Sequence, residues 1–80
     1  MHMDKLSKYE VYIISALAHG ATIIQTRKVL RHYKLRPYSE SSIDKKLSEL
    51  RKRYQCKTTF QLIYKLRNRV ETMDLDEVLT

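Results

Sequence analysis

The sequence has few of the residues that make tight turns, since its 80 residues include one glycine and one proline. Because two-residue hairpin turns depend on glycine, this scarcity argues against a small β-protein and favours a chain that is mostly helical. Tryptophan is absent, and the single cysteine excludes an internal disulfide framework, which suits a reducing compartment such as the cytoplasm. No apolar run approaches the roughly 18–20 residues of a membrane span, and no signal peptide opens the chain, so we expect no membrane partner.

The length corresponds to one small domain, since chains divide at roughly 100–200 residues per domain. Residues 1–3 have the form of a cloning junction, residues 4–72 are expected to form the domain, and residues 73–80 an acidic tail or a short terminal helix. The sequence leaves open whether the chain is a whole protein or a fragment that lacks an input domain. A chain this short has a thin core, which favours a partner subunit.

The positive charge is concentrated in the middle of the chain. Of the 16 basic side chains, 14 lie within residues 27–69, where three acidic ones leave a net charge of +11. Residues 1–26 are neutral overall, and residues 70–80 carry a charge of −4. A segment this basic is the footprint of a polyanion-binding surface. A solvated face without a partner and an anionic membrane surface are the alternatives.

Capping residues and hydrophobic spacing predict where the first two helices begin and end. Ser7 and Glu10 have the spacing of a capping box, in which each side chain bonds the other residue's backbone N–H. Gly20 follows this helix at the place where a left-handed residue commonly ends one. Thr22 has Gln25 three residues later and predicts the start of the second helix.

The second half of the chain predicts two further helices after a break. Arg36 precedes Pro37 and is therefore pushed away from helical angles, which separates the second helix from a third over about residues 42–53. Thr58 begins a fourth helix that is expected to continue through Val70. The third helix carries an inward stripe at helical spacing: Ile43, Leu47, Leu50 and Tyr54. The predicted fold class is all-α, with four helices or five, in the order of a helix-turn-helix unit.

The sequence lacks the patterns of an enzyme or a metal protein. It has no Ser–His–Asp arrangement, glycine-rich phosphate loop or coherent carboxylate pair, so we expect no catalytic residue and no cofactor. His19 and His32 stand apart from other ligand types, which argues against a metal site, and Cys56 is interpreted as a structural thiol. Tyrosines among basic residues can stack on the bases of single-stranded RNA, which makes RNA binding an alternative to the other functions. It is a lesser alternative, because four of the six tyrosines fall on apolar helix faces: Tyr9, Tyr33, Tyr54 and Tyr64.

Residues 39–57, S-E-S-S-I-D-K-K-L-S-E-L-R-K-R-Y-Q-C-K, resemble the recognition-helix stretch of LuxR/GerE-type regulators, which reads I-S-x-x-T-V-x-x-H-x-x-x-I-x-x-K-L-G-V. Residues 6–10 are similar to the family's opening L-T-x-R-E, and residues 17–20 to its L-x-A-x-G. The resemblance covers roughly residues 6–68. About seven additional residues lie between Gly20 and Ser39, which predicts a longer turn or a longer second helix.

The resemblance implies that the third helix enters the DNA major groove, where side chains of its first half reach base edges. The positions that would make these contacts are Asp44, Lys45 and Ser48. Lys45 can donate to guanine, Ser48 can serve either base type, and Asp44 can accept from cytosine or act as a filter against phosphate. Residues that would contact phosphates, which fix register without reading sequence, are Arg27, Lys28, Arg31, Ser42, Lys46, Arg51, Lys52, Arg53 and Lys57.

The fourth helix is apolar over a wide arc, which indicates that it buries more than one face. In the family this helix commonly forms the dimer contact, and the matching positions are Leu62, Ile63 and Leu66. A homodimer would place two recognition helices one DNA turn apart. The resulting hypothesis is a cytoplasmic, bacterial-type transcription regulator that binds double-stranded DNA. The rival hypothesis is a protein-interaction adaptor or anti-regulator that uses the same fold to bind a regulatory protein partner.

Overall fold

The computed structural model describes residues 6–80, and over this range it contains five α-helices and no strand. The helices are α1 (Lys8–Ala18), α2 (Ile23–His32), α3 (Glu40–Arg53), α4 (Thr59–Lys65) and α5 (Leu75–Leu79), with a 3-10 helix at Arg67–Arg69 between the last two. The chain is therefore all-α, as predicted. Residues 1–3, interpreted as a cloning junction, lie outside the described residues.

The predicted caps account for the helix starts. Ser7 Oγ accepts a hydrogen bond from the backbone N–H of Glu10, and Glu10 Oε1 accepts one from Ser7 N–H at 2.9 Å. Thr22 and Gln25 form the same reciprocal pair at the start of α2. Thr58 caps α4, as predicted, and Ser39 caps α3, so that α3 begins at Glu40, earlier than the expected residue 42. Each cap satisfies a backbone donor that the first helical turn leaves unpaired.

Two non-glycine residues adopt left-handed backbone angles where helices end. Gly20 ends the α1 region at φ +97°, while Lys34 follows α2 at φ 59° and Gln55 follows α3 at φ 58°. The connection between α2 and α3 spans residues 33–39 and contains Pro37, where the sequence predicted a break between the two helices.

The main core lies between α1, α2, α3 and α4. The predicted inward stripe of α3 is buried in it, and it meets Ile13 and Ile14 from α1, Leu30 from α2 and Leu62 from α4. Burial of such side chains contributes about 1.5–3 kcal/mol each. Because the stripe occupies one side of α3, the opposite side of that helix faces solvent.

The fourth helix is shorter than predicted. It ends at Lys65 and is followed by the 3-10 turn, whereas the apolar spacing predicted a helix through Val70. The chain turns here because the backbone N–H of Glu71 donates to Ser15 Oγ of α1 at 2.8 Å, a contact that a continued helix would not reach.

Residues 73–80 form part of the packed structure. Met73 is buried with Ala16, Ala21 and Val29 in a second small cluster. The partly buried apolar side chains of α5 pack against this cluster, so α5 lies on α2. The acidic segment is therefore a short terminal helix, the second of its two expected forms.

Candidate nucleic-acid interface

The solvent side of α3 carries the residues expected to contact bases. Lys45 and Lys52 are seven residues apart, two helical turns, and both are exposed opposite the buried stripe. Asp44 is exposed and Ser48 is half-buried in the first half of the same helix. The structure thus brings Asp44, Lys45 and Ser48 together on one accessible surface of α3. We call this surface, which also includes Lys52, the α3 outer face.

One buried carboxylate holds α3 against α1. Glu10 is 4% exposed, and its Oε2 lies 3.2 Å from Arg53 Nη2 and 3.3 Å from Lys46 Nζ. Lys46 and Arg53 are seven residues apart on α3, so a single carboxylate contacts two successive turns. Because Glu10 also completes the α1 cap, it fixes α3 relative to the first turn of α1.

The charge of Glu10 is stabilised by its partners. Burial disfavours the ionised carboxylate, but the hydrogen bond from Ser7 and the contacts with Arg53 and Lys46 outweigh it and lower the pKa of Glu10. The pKa of Lys46 is raised, first by its hydrogen bond to Glu49 and then, against desolvation, by Glu10. The hydrogen bond to Glu10 also raises the pKa of Arg53. These three groups are therefore charged together near neutral pH.

Further contacts position both ends of α3. Arg51 Nη1 donates to Thr59 Oγ1 at 2.9 Å and links α3 to the start of α4. Arg27 Nε donates to the carbonyl of Tyr38 at 3.2 Å and ties α2 to the connection before α3. A polar hollow of about 360 Å³ opens beside the first half of α3, and it is lined by Tyr9, Pro37, Ser42, Lys45, Lys46 and Glu49.

The nine expected phosphate contacts divide into two groups. Four have exposed side chains and face solvent: Lys28, Arg31, Lys52 and Lys57. Five are engaged within the chain: Arg27, Ser42, Lys46, Arg51 and Arg53. A phosphate contact from the second group would compete with an internal hydrogen bond or ion pair, so the first group is the better placed.

The three residues expected at a dimer interface differ in how far they are buried within the single chain. Leu62 is 0% exposed and Leu66 is buried as well, since both pack in the main core of the single chain. Ile63 is partly buried on the edge of α4. The apolar arc that suggested a dimer contact is thus partly the core face of α4, and its exposed apolar residues are Phe60 and Tyr64 instead.

Sequence reasoning missed the second role of Glu10 and the exposure of Phe60 and Tyr64. The S-x-x-E pattern indicated a cap, and nothing local indicated a partner 43 residues away. Tyr64 was expected on an apolar face, in the core or at an interface, and its side chain is exposed. The same position was expected for three other tyrosines. Of these, Tyr54 is buried, and Tyr9 and Tyr33 are partly buried. The thiol of Cys56 is partly buried and contacts the carbonyl of Tyr54.

Comparisons with protein-family models, with curated proteins and with solved structures find no match to this chain. Within residues 6–80, none of the helices has both the length and the apolar character required to cross a membrane. The same residues contain no group of three His, Cys, Asp or Glu side chains arranged to hold a metal ion.

Proposed function

We propose that the chain binds double-stranded DNA as a cytoplasmic transcription regulator, with α3 in the major groove. The single observation that carries the proposal is the α3 outer face, where Lys45 and Lys52 project from a helix whose other side is locked into the core. A helix held in this way can enter a groove with its side chains preorganised.

The distribution of charge supports this proposal. Further exposed cations are Lys28 and Arg31 on α2 and Lys57 in the turn after α3. Exposed lysines and arginines beside a recognition helix neutralise phosphates and provide the salt-dependent part of affinity. Asp44, Lys45 and Ser48 are the residues to which we assign base contacts.

One backbone position is compatible with the resemblance to LuxR/GerE-type regulators. The family's Leu-Gly-Val aligns with Tyr54, Gln55 and Cys56, and Gln55 has φ 58°, an angle that glycine adopts without steric cost. Under this proposal two copies act together on a palindromic site.

The test compares variants of the α3 outer face in binding to a fluorescent duplex of random sequence, measured by anisotropy. The double variant Lys45→Ala/Lys52→Ala is expected to weaken binding by roughly tenfold or more, because it removes two cations at the groove. Lys8→Ala is the matched control, since Lys8 lies two residues from Glu10 and hence on the opposite side of α1. Equal affinities for the double variant and for Lys8→Ala would contradict the proposal.

A protein-interaction adaptor is the second candidate, and the exposed ring of Phe60 favours it. An adaptor would be insensitive to changes at Lys45 and Lys52 and would lose its partner when α4 is altered. The same set of variants therefore distinguishes the two functions.

A further inference from the structure

The most exposed large apolar side chains of the described residues lie on α4. Phe60 is 87% exposed and Tyr64, one turn later, is 67% exposed. Beside them runs an apolar groove of about 320 Å³, lined by Leu17, Gly20, Ala21, Thr59, Phe60 and Ile63. We call Phe60, Tyr64 and this groove the α4 face. A phenylalanine left in water at the edge of an apolar groove is typical of an interaction surface.

The stretch of chain that contains the α4 face is strongly basic. Residues 50–70 contain seven basic side chains and no acidic one. Arg51 donates to Thr59 at one edge of the groove, and the guanidinium of Arg67 lies 4.1 Å from the centre of the Tyr64 ring. The occupant of this face is therefore expected to combine apolar side chains with negative charge.

This requirement argues against the simplest symmetric arrangement, in which α4 packs on α4 of a second copy. Such a contact would place two basic segments against each other, and like charges across an interface oppose association. No carboxylate within residues 50–70 is present to offset that repulsion.

The chain itself contains a segment of the required composition. Residues 71–80 carry four acidic side chains and no basic one. The apolar side chains of α5 pack toward α2 but remain partly exposed, while Asp76 and Glu77 are exposed beside them. A surface of partly exposed leucine and valine flanked by carboxylates is complementary to the α4 face both in apolar character and in charge.

We propose that the α4 face of one copy binds the acidic segment 71–80 of a second copy. The contact joins two different surfaces of the protein. Two copies can therefore form it twice in a two-fold dimer, or successive copies can form it head to tail in an open assembly. The proposal does not depend on DNA binding, and its test contains no DNA, so its failure and the failure of DNA binding are distinguishable.

The test uses two complementary variants of the full chain. Phe60→Gln/Arg67→Gln removes the α4 face, and Asp76→Asn/Glu77→Gln removes the charge of the acidic segment. Neutral replacements are chosen so that no new ion pair is created. All four side chains are exposed, so both variants are expected to fold, which far-UV circular dichroism checks.

Sedimentation velocity then measures association of each protein alone and of the two variants mixed. Wild type is expected to associate, more weakly when salt is raised from about 50 to about 500 mM. Each variant alone is expected to have a dissociation constant raised by roughly tenfold or more. An equimolar mixture retains one intact α4 face and one intact acidic segment, so association between the two variants is expected to return.

Three results would overturn the proposal. Wild type that stays monomeric at about 1 mM would show that the α4 face does not bind a second copy. Loss of association in the α4 variant but not in the acidic-segment variant would indicate an α4–α4 contact. A mixture that stays monomeric after both variants have lost association would show that the two surfaces do not bind each other.

Discussion

Arg53, in the last turn of α3, donates to the carboxylate of Glu10 in the first turn of α1. The two residues are 43 positions apart in sequence, and the donor and acceptor atoms are 3.2 Å apart. Because Lys46 contacts the same carboxylate from seven residues earlier in α3, the orientation of α3 relative to α1 depends on one nearly buried acid. Residues that do not belong to the α3 outer face therefore hold this helix in place against α1.

Replacing Glu10 with glutamine is expected to lower the free energy of unfolding by about 1–2 kcal/mol. Glutamine keeps an acceptor for the Ser7 N–H but leaves Lys46 and Arg53 without their shared anion. Urea denaturation measures the change. Glu49→Gln is the matched control, because Glu49 pairs with the same lysine at an exposed site, and its loss is expected to cost no more than about 0.5 kcal/mol. Equal losses for both variants would contradict the role assigned to Glu10.

The same carboxylate predicts a pH dependence of stability. Glu10 has a lowered pKa in the folded chain, so its contribution is fully present above its ordinary value of 4.5 and is lost as the pH falls through the folded value. The difference in unfolding free energy between wild type and Glu10→Gln is therefore expected to be constant from about pH 7 to 5 and to shrink below about pH 4.5. A difference that stays constant down to about pH 2.5 would contradict this assignment.

Lys45 and Lys52 are expected to differ in what they contribute to DNA binding. Once a preferred site has been selected from random duplexes, Lys45→Ala should cost about 1–3 kcal/mol on that site and less on unrelated sequences. Lys52→Ala should weaken both by a similar factor, because a phosphate contact carries no sequence information. Anisotropy titrations of both variants on both duplexes measure the ratio. The assignment fails if the two variants change specificity equally.

Gln55 is expected to be a site where glycine stabilises the chain. Its φ of 58° is unfavourable for a residue with a Cβ, and its side chain is exposed, so Gln55→Gly should raise the free energy of unfolding by about 0.5–1 kcal/mol. Lys52→Gly, three residues earlier inside α3, is the control and should lower it by about 1 kcal/mol. Thermal unfolding of the two variants checks the opposite signs.

The local features of the fold were predictable from the sequence. Each of the caps at Ser7, Thr22 and Thr58 depends on residues three positions apart, so the pattern is complete within one turn. The buried stripe of α3 follows from helical spacing alone. The order and type of the first three helices were accordingly confirmed.

Features that depend on distant contacts were not predictable. The end of α4 at Lys65 is set where Glu71 reaches Ser15, 56 residues away. The apolar arc of α4 includes both Phe60 and Leu62. Only packing against the other helices determines that Leu62 is buried in the core and that Phe60 is exposed. Helical spacing places Lys45 and Lys52 opposite the predicted stripe and Lys46 and Arg53 beside it, but nothing in the sequence indicates that Glu10 holds the second pair.

The measurement that tests the central claim most directly is the salt dependence of binding to random-sequence duplex DNA. Six to eight of the phosphate contacts expected from the sequence would give a log–log slope near −6 at about −0.9 per phosphate neutralised. With the four exposed cations Lys28, Arg31, Lys52 and Lys57 making the phosphate contacts, the account predicts a slope near −3.6 between about 50 and 200 mM salt. Micromolar-range binding with such a slope would support the proposal, whereas no binding at the lower salt, or binding that does not change with salt, would contradict it.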